Sequence, residues 1–201
     1  MSKEVRISRA LLQNARINVE QYVQAQIVEQ FGYAEEVAFI IGTGVQQPQG
    51  LLKETAIPTY PTATTLVIGE ADIVNWSQSL PSGWERDATI IANKSFQRKV
   101  LGLLGVGAAS DFANYVSFNF TAGMPALTIA GYPVITSDAF PTGITASTDA
   151  YIQNSLVAVL GNFRRGYVIV DNDMMTVQRL DELYARTNEI GYIARKRTDG
   201  W

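Results

Sequence analysis

The residues with the most chemical promise in this sequence are glycines. The stretch IIGTGVQQPQGLL, residues 40–52, sets Gly42, Gly44 and Gly50 between an apolar run and LLKE, in the manner of a phosphate-binding loop. A P-loop needs G-x-x-x-x-G-K-[ST]: backbone N–H groups cradle the phosphates, the lysine reaches them and the hydroxyl reaches the metal. Gly44 and Gly50 stand too far apart for this, Lys53 is followed by Glu54, and the preceding segment reads as helix where a strand is required. Gly42 is better explained as a helix C-terminal glycine. A second group, GLLGVGAAS at 102–110, carries Gly102, Gly105 and Gly107 behind a helix-like segment and out of G-x-G-x-x-G order. It reads as a helix stop and a flexible loop.

Charged residues offer little more. VDNDMM sets Asp171 and Asp173 two apart, but an EF-hand calcium loop needs further oxygen ligands and a glycine at fixed positions, where Met174 and Met175 stand. A turn between two strands is the expectation there. Arg164 and Arg165, and later Arg195, Lys196 and Arg197, form local basic clusters. Guanidinium groups suit phosphate or carboxylate, and pairing with carboxylates of another subunit fits an acidic chain. The sequence contains no histidine and no cysteine. That removes the commonest general base, a Ser-His-Asp triad, thiolate metal sites and disulfides. No catalytic, cofactor or metal residues are assigned, and composition leans towards a binding or structural protein.

The chain has 201 residues, 47% hydrophobic and 17% charged, with net charge −3. It is long enough to bury a core as one domain or two small ones. The charge gives no general attraction to nucleic acid or anionic membrane. No apolar run approaches the roughly 20 residues of a membrane span, and MSKEVRISRALL lacks the apolar centre of a signal peptide.

Around these residues the elements can be laid out. KEVRI at 3–7 alternates like a strand. Ser8 then stands where it could cap a helix over 8–31, with apolar Leu11, Ala15, Val19, Tyr22, Val23, Ile27 and Phe31 at helical spacing. Its other faces are rich in glutamine. Gly32 is expected to break it, leaving YAEEVAFII as a shorter helix ending at Gly42. The glycine stretch and the Pro/Thr-rich KETAIPTYPTATT mark a boundary. Beyond it, GEADIVNWSQSLP and KSFQRKVLGLL read as helices, while ATIIAN, YVSFNF, ALTIAGYPVITS, SLVAVLGNF, GYVIVDN and the tail read as strands. The pattern is α+β, helices early and strands late, without a regular βαβ repeat.

The order of five blocks resembles the tailed-bacteriophage major capsid protein family of the Hong Kong 97-type fold, a fold shared with encapsulin shells. ISRALLQNARINVEQYVQAQIVEQFGYAEEVAFIIGTG looks like its long spine helix. Gly42, Gly44, Pro48, Gly50 and Leu51 match its G-x-G-x-x-x-P-x-G-[IL] stretch. SLPSGWERDATIIANKSFQRKVLGLL resembles its aromatic turn, strand, asparagine and helix; Gly131, Tyr132, Pro133 and Val134 match its G-[YR]-P-V. The block from VLGNFRRGYVIVDN to RTDG resembles its C-terminal part. The resemblance covers nearly the whole chain, and the blocks are specific together. The family's N-terminal arm and extended loop have no counterpart here, which suggests a truncated chain, so no crosslinking residues are carried over.

The resemblance implies a peripheral domain from residues 1–45 and 179–201, and an axial domain from 46–178. It implies a head subunit that associates with itself, as pentamers and hexamers, into an icosahedral shell enclosing DNA. Scaffold and portal proteins are implied partners, DNA is contacted only non-specifically, and no membrane partner or cofactor is implied. The location is the virion, assembled in the bacterial host cytoplasm. Gly42, Gly44, Pro48 and Gly50 are the candidate hinge, and Arg164, Arg165, Arg195 and Arg197 the candidate intersubunit contacts. The competing readings are an encapsulin-like nanocompartment and a histidine-free α/β enzyme or nucleotide-binding domain.

Overall fold

A computed structural model describes residues 1–55, 57–63, 67–106, 112–121, 124–144 and 151–201. The first half runs β1 (Ser2–Ser8), α1 (Arg9–Asn14), α2 (Val19–Ile41), α3 (Glu70–Ser77), α4 (Ser82–Glu85), β2 (Thr89–Ala92) and α5 (Lys94–Val106). The second runs α6 (Phe112–Tyr115), β3 (Val116–Thr121), β4 (Met124–Ile129), β5 (Tyr132–Thr136), β6 (Ala158–Gly161), α7 (Phe163–Gly166), β7 (Ile169–Leu180) and β8 (Glu189–Gly200). The α+β expectation holds. The chain forms two compact units, Met1–Lys53 with Ile169–Trp201, and Glu54–Val168. Residues 46–53 and 169–178 therefore belong to the first unit, whereas the sequence reading joins them to the axial part.

The first unit is a three-stranded antiparallel sheet, in the order β1-β8-β7, with α2 on one face. Helix α2 begins where Asn18 Oδ1 accepts a hydrogen bond from Gln21 N at 3.1 Å. This satisfies one of the donors that every helix start leaves free. The single helix expected over 8–31 is thus two. Ser8 makes no side-chain cap, the chain turns extended at Ala15, and the effective cap is Asn18. Gly32 does not break α2; it costs the helix about 1 kcal/mol against alanine, and the packed face of the helix outweighs that. That face is Val19, Val23, Ile27 and Phe31, packed on Ile7, Ile190, Tyr192 and Ala194. Leu11 and Tyr22, expected on the same stripe, are more than half exposed.

VDNDMM is not a turn. It lies inside β7, and the register against β8 shifts between Asp171 and Asp173 and again between Asp173 and Thr176. The Asn/Asp signal marks these irregularities, which free a residue from the ladder much as a turn does. The connection to β8 comes later and ends on Asn188, left-handed at φ 57°.

The second unit holds a five-stranded sheet, in the order β3-β4-β5-β2-β6, antiparallel except for β2 against β5. ALTIAGYPVITS divides into β4 and β5 around Ala130 and Gly131, both at positive φ, the geometry of a tight two-residue hairpin. SLVAVLGNF yields only the short β6 before Asn162 caps α7. The core joins Ile73, Ile90, Phe96, Val100, Leu127 and Ile129. Asn93, buried after β2, donates to Phe140 O at 3.0 Å and accepts from Ser95 N at 3.0 Å, fixing the strand-to-helix turn into α5. The loop expected at 102–110 is helix to Val106, and residues 107–110 lie outside the described residues.

Candidate assembly surfaces

The candidate hinge closes on itself by hydrogen bonds. Gly42 N donates to Ala38 O at the end of α2, Gly50 N to Gly42 O and Gly44 N to Pro48 O, at 2.9, 2.9 and 3.2 Å. Thr43 and Gln49 form an antiparallel bridge, and Gln49 N reaches Gly200 O at the end of β8 at 2.9 Å. The glycines serve different needs. A Cβ on Gly42 would lie 2.3 Å from both Ala38 O and Pro48 O, and one on Gly50 would lie 2.4 Å from Gly42 N. Two backbone segments therefore touch where side chains cannot fit. Gly44, at φ +77°, is required for conformation instead. Flexibility suggested by three glycines in sequence becomes a buckle joining helix end, loop and last strand.

Ionic contacts hold α2 to the sheet. Lys196 Nζ stands 2.7 and 2.8 Å from the two carboxylate oxygens of Glu35 and 3.6 Å from Asp171, with Lys196 and Glu35 mostly shielded. The Glu35 carboxylate holds the Lys196 ammonium above its ordinary pKa, against an opposing effect of burial. Arg179, in the same sheet, meets Glu20 at 3.5 Å near the start of α2 and Asp181 at 2.9 Å. On the opposite sheet face the Tyr184 ring covers Gly191, whose added Cβ would lie 2.8 Å from it. Tyr184 donates its hydroxyl hydrogen to Glu4, and Arg6 stacks 4.3 Å above its ring. The Tyr184 bond is the main cause lowering the Glu4 pKa.

The candidate arginines occupy two separate places. Arg195 and Arg197 alternate with Lys196 along β8, so they project from the sheet face away from α2, exposed, with Arg197 in register with Asp173. Arg164 and Arg165 lie in α7, in the second unit. There they line a cleft of about 670 Å³ with Ser82, Arg86, Asp87 and Asn162. Arg86 is a member that sequence reasoning missed, since it lies far from the pair in sequence. The one available sign was the buried asparagine that joins them: Asn162 opens a helix after a glycine, the position of a cap.

Among the described residues no group of three His, Cys, Asp or Glu side chains could hold a metal ion. Among the described residues no helix is long and apolar enough to cross a membrane.

The profile of the phage capsid family matches residues 2–201. Among solved structures, the capsid of a native GTA particle superposes with TM-score 0.74 at 23% identity, covering 100% of this chain and 67% of that one. A chain of Mycobacterium phage Bobi gives 0.67 at 16%, over 100% of this chain and 64% of its own. The holo-SrpI encapsulin complex of Synechococcus elongatus PCC 7942 gives 0.71 at 13%, over 100% and 68%. This chain thus spans about two thirds of the length of these structures. No curated protein is a significant match. The solved structures share the fold, encapsulin included, and the family match gives the rest: the chain belongs to the phage capsid family, as a structural major capsid protein of the icosahedral head shell and not an enzyme.

Proposed function

We propose that copies of this chain associate as pentamers and hexamers, with Glu54–Val168 as the axial domain and the unit of α2 and β1-β8-β7 as the peripheral domain. The single observation that carries this is the family match, which runs from residue 2 to residue 201 and so takes in both units. Arg164, Arg165, Arg195 and Arg197 serve contacts between copies, since exposed guanidiniums on an acidic subunit find their natural partners in carboxylates. Scaffold and portal proteins complete the assembly. Contact with the packaged DNA is non-specific and weak, as net charge −3 offers no strong general attraction. The stretch 42–50 acts as a fixed buckle within its unit.

Electron microscopy of the full-length protein expressed in bacteria tests this reading. Closed shells or capsomers with fivefold and sixfold symmetry are expected, and a monodisperse monomer at high concentration would refute it. Likeness to an encapsulin supports a second reading, a shell around protein cargo. Nuclease-protected DNA inside particles from the phage or its lysogen decides for the first; nucleic-acid-free shells with enzyme cargo decide for the second.

A further inference from the structure

Half of the basic residues between 54 and 168, three of six against eight acidic ones, line one cleft. They are Arg86, Arg164 and Arg165, all exposed, and none has a carboxylate partner among the described residues. Three guanidiniums around the single carboxylate of Asp87 leave an excess of positive charge in the cleft, so the arrangement needs a reason outside the lone subunit.

The cleft is also built. Asn162 is 8% exposed. Its side-chain amide donates to the Arg86 carbonyl, while its Oδ1 accepts from Arg165 N at 3.3 Å. One buried side chain thereby ties the loop after α4 to the turn carrying the arginine pair. Asp87 beside it is held left-handed at φ 60°, a conformation that costs a non-glycine residue about 1 kcal/mol. Strain and a buried polar clamp mark a shape that is maintained.

We infer that this cleft is a carboxylate socket: Arg86, Arg164 and Arg165 receive an acidic segment of a neighbouring copy. Guanidinium forks bind carboxylates through two parallel hydrogen bonds, so position as well as charge is read. Two features favour carboxylate over the phosphates of DNA. The cleft contains the Asp87 carboxylate, which opposes a dense polyanion, and the partner surface in a shell is another acidic copy. The inference rests on the proposed self-association and specifies one of its contacts.

The test compares full-length wild type, the R164E/R165E double variant and the R86E variant for particle yield by light scattering and electron microscopy. Thermal melting checks that each variant folds. Shell yield is expected to fall at least about tenfold, as close charge pairs across interfaces carry that much coupling, while melting shifts by no more than about 3 °C. An R165K variant supplies an amine for carbodiimide coupling, and mixed isotope-labelled copies should give an Arg165→Lys-to-Asp/Glu crosslink between copies. Wild type without particles would defeat the self-association reading itself. Wild-type particles together with variants that assemble equally well, or no intercopy crosslink, would overturn the socket. Variants that form normal shells but lose retained DNA would assign the arginines to phosphate and also overturn it. If both reversals unfold the protein, the crosslink in R165K decides alone.

Discussion

At the scale of single residues, three glycines of one chain demand opposite treatment. Gly32 lies inside α2 with nothing within 4 Å of an added Cβ, so Gly32→Ala should stabilise by about 1 kcal/mol through helix propensity. Gly50 faces Gly42 N at 2.4 Å and Ile41 C at 2.7 Å, both backbone atoms that cannot step aside. Gly50→Ala should therefore cost about 2 kcal/mol or more. Urea denaturation of both variants checks the pair, and equal effects would contradict the buckle. Gly44→Ala meets only ordinary contacts near 3.6 Å, so its cost reflects φ +77° alone, about 1 kcal/mol. Three glycines near a helix end were visible in the sequence, but the reason for two of them was not. Close approach of backbone segments depends on hydrogen bonds between distant residues, such as Gln49 to Gly200.

At the scale of elements, α2 depends on a start signal and an anchor. Asn18→Ala removes the side-chain acceptor for Gln21 N and should cost about 1 kcal/mol, read as loss of helicity and of melting temperature. The anchor is Lys196 against Glu35. Because the folded-state pKa of Lys196 is raised, its stabilisation is complete below the unfolded value of about 10.4 and is lost as pH climbs through the higher folded value. Stability should thus decline above about pH 10.4, and Lys196→Met should flatten that decline in alkaline melts. An unchanged slope would remove the anchor from the account. The apolar periodicity of α2 was legible, since Val19, Val23, Ile27 and Phe31 recur every four residues and all pack on the sheet. The division at 15–18 was less so, because two cap-competent residues, Ser8 and Asn18, stand ten apart and only the geometry of the chain selects between them. Inside β7, Asn and Asp residues imitate a turn because a bulge and a turn ask similar things of the backbone. Lys196 and Glu35, 161 positions apart, carry no local pattern that would pair them.

At the scale of the whole molecule, absence of histidine and cysteine pointed away from chemistry, and the order of five motif blocks pointed to a shell subunit; the family match spans both. The unit bounds differ from those read in sequence because the buckle and β7 bring 46–53 and 169–178 to the α2 sheet. The arginine cleft was half legible. Arg164 and Arg165 are adjacent, but Arg86 is brought to them by the pairing of β2 with β6 and by the Asn162 clamp, so Asn162→Ala should weaken assembly while leaving all three charges in place. Particle yield with a matched melting curve checks this, and unimpaired assembly would show that the clamp does not position the arginines.

The most direct test of the central claim is a cryo-electron microscopy reconstruction of phage particles that carry this protein. The expected result is an icosahedral shell whose repeating density traces this chain in both units, with a carboxylate of a neighbouring copy against Arg86, Arg164 and Arg165. A shell lattice built from a different protein, with this chain absent from it, would contradict the account.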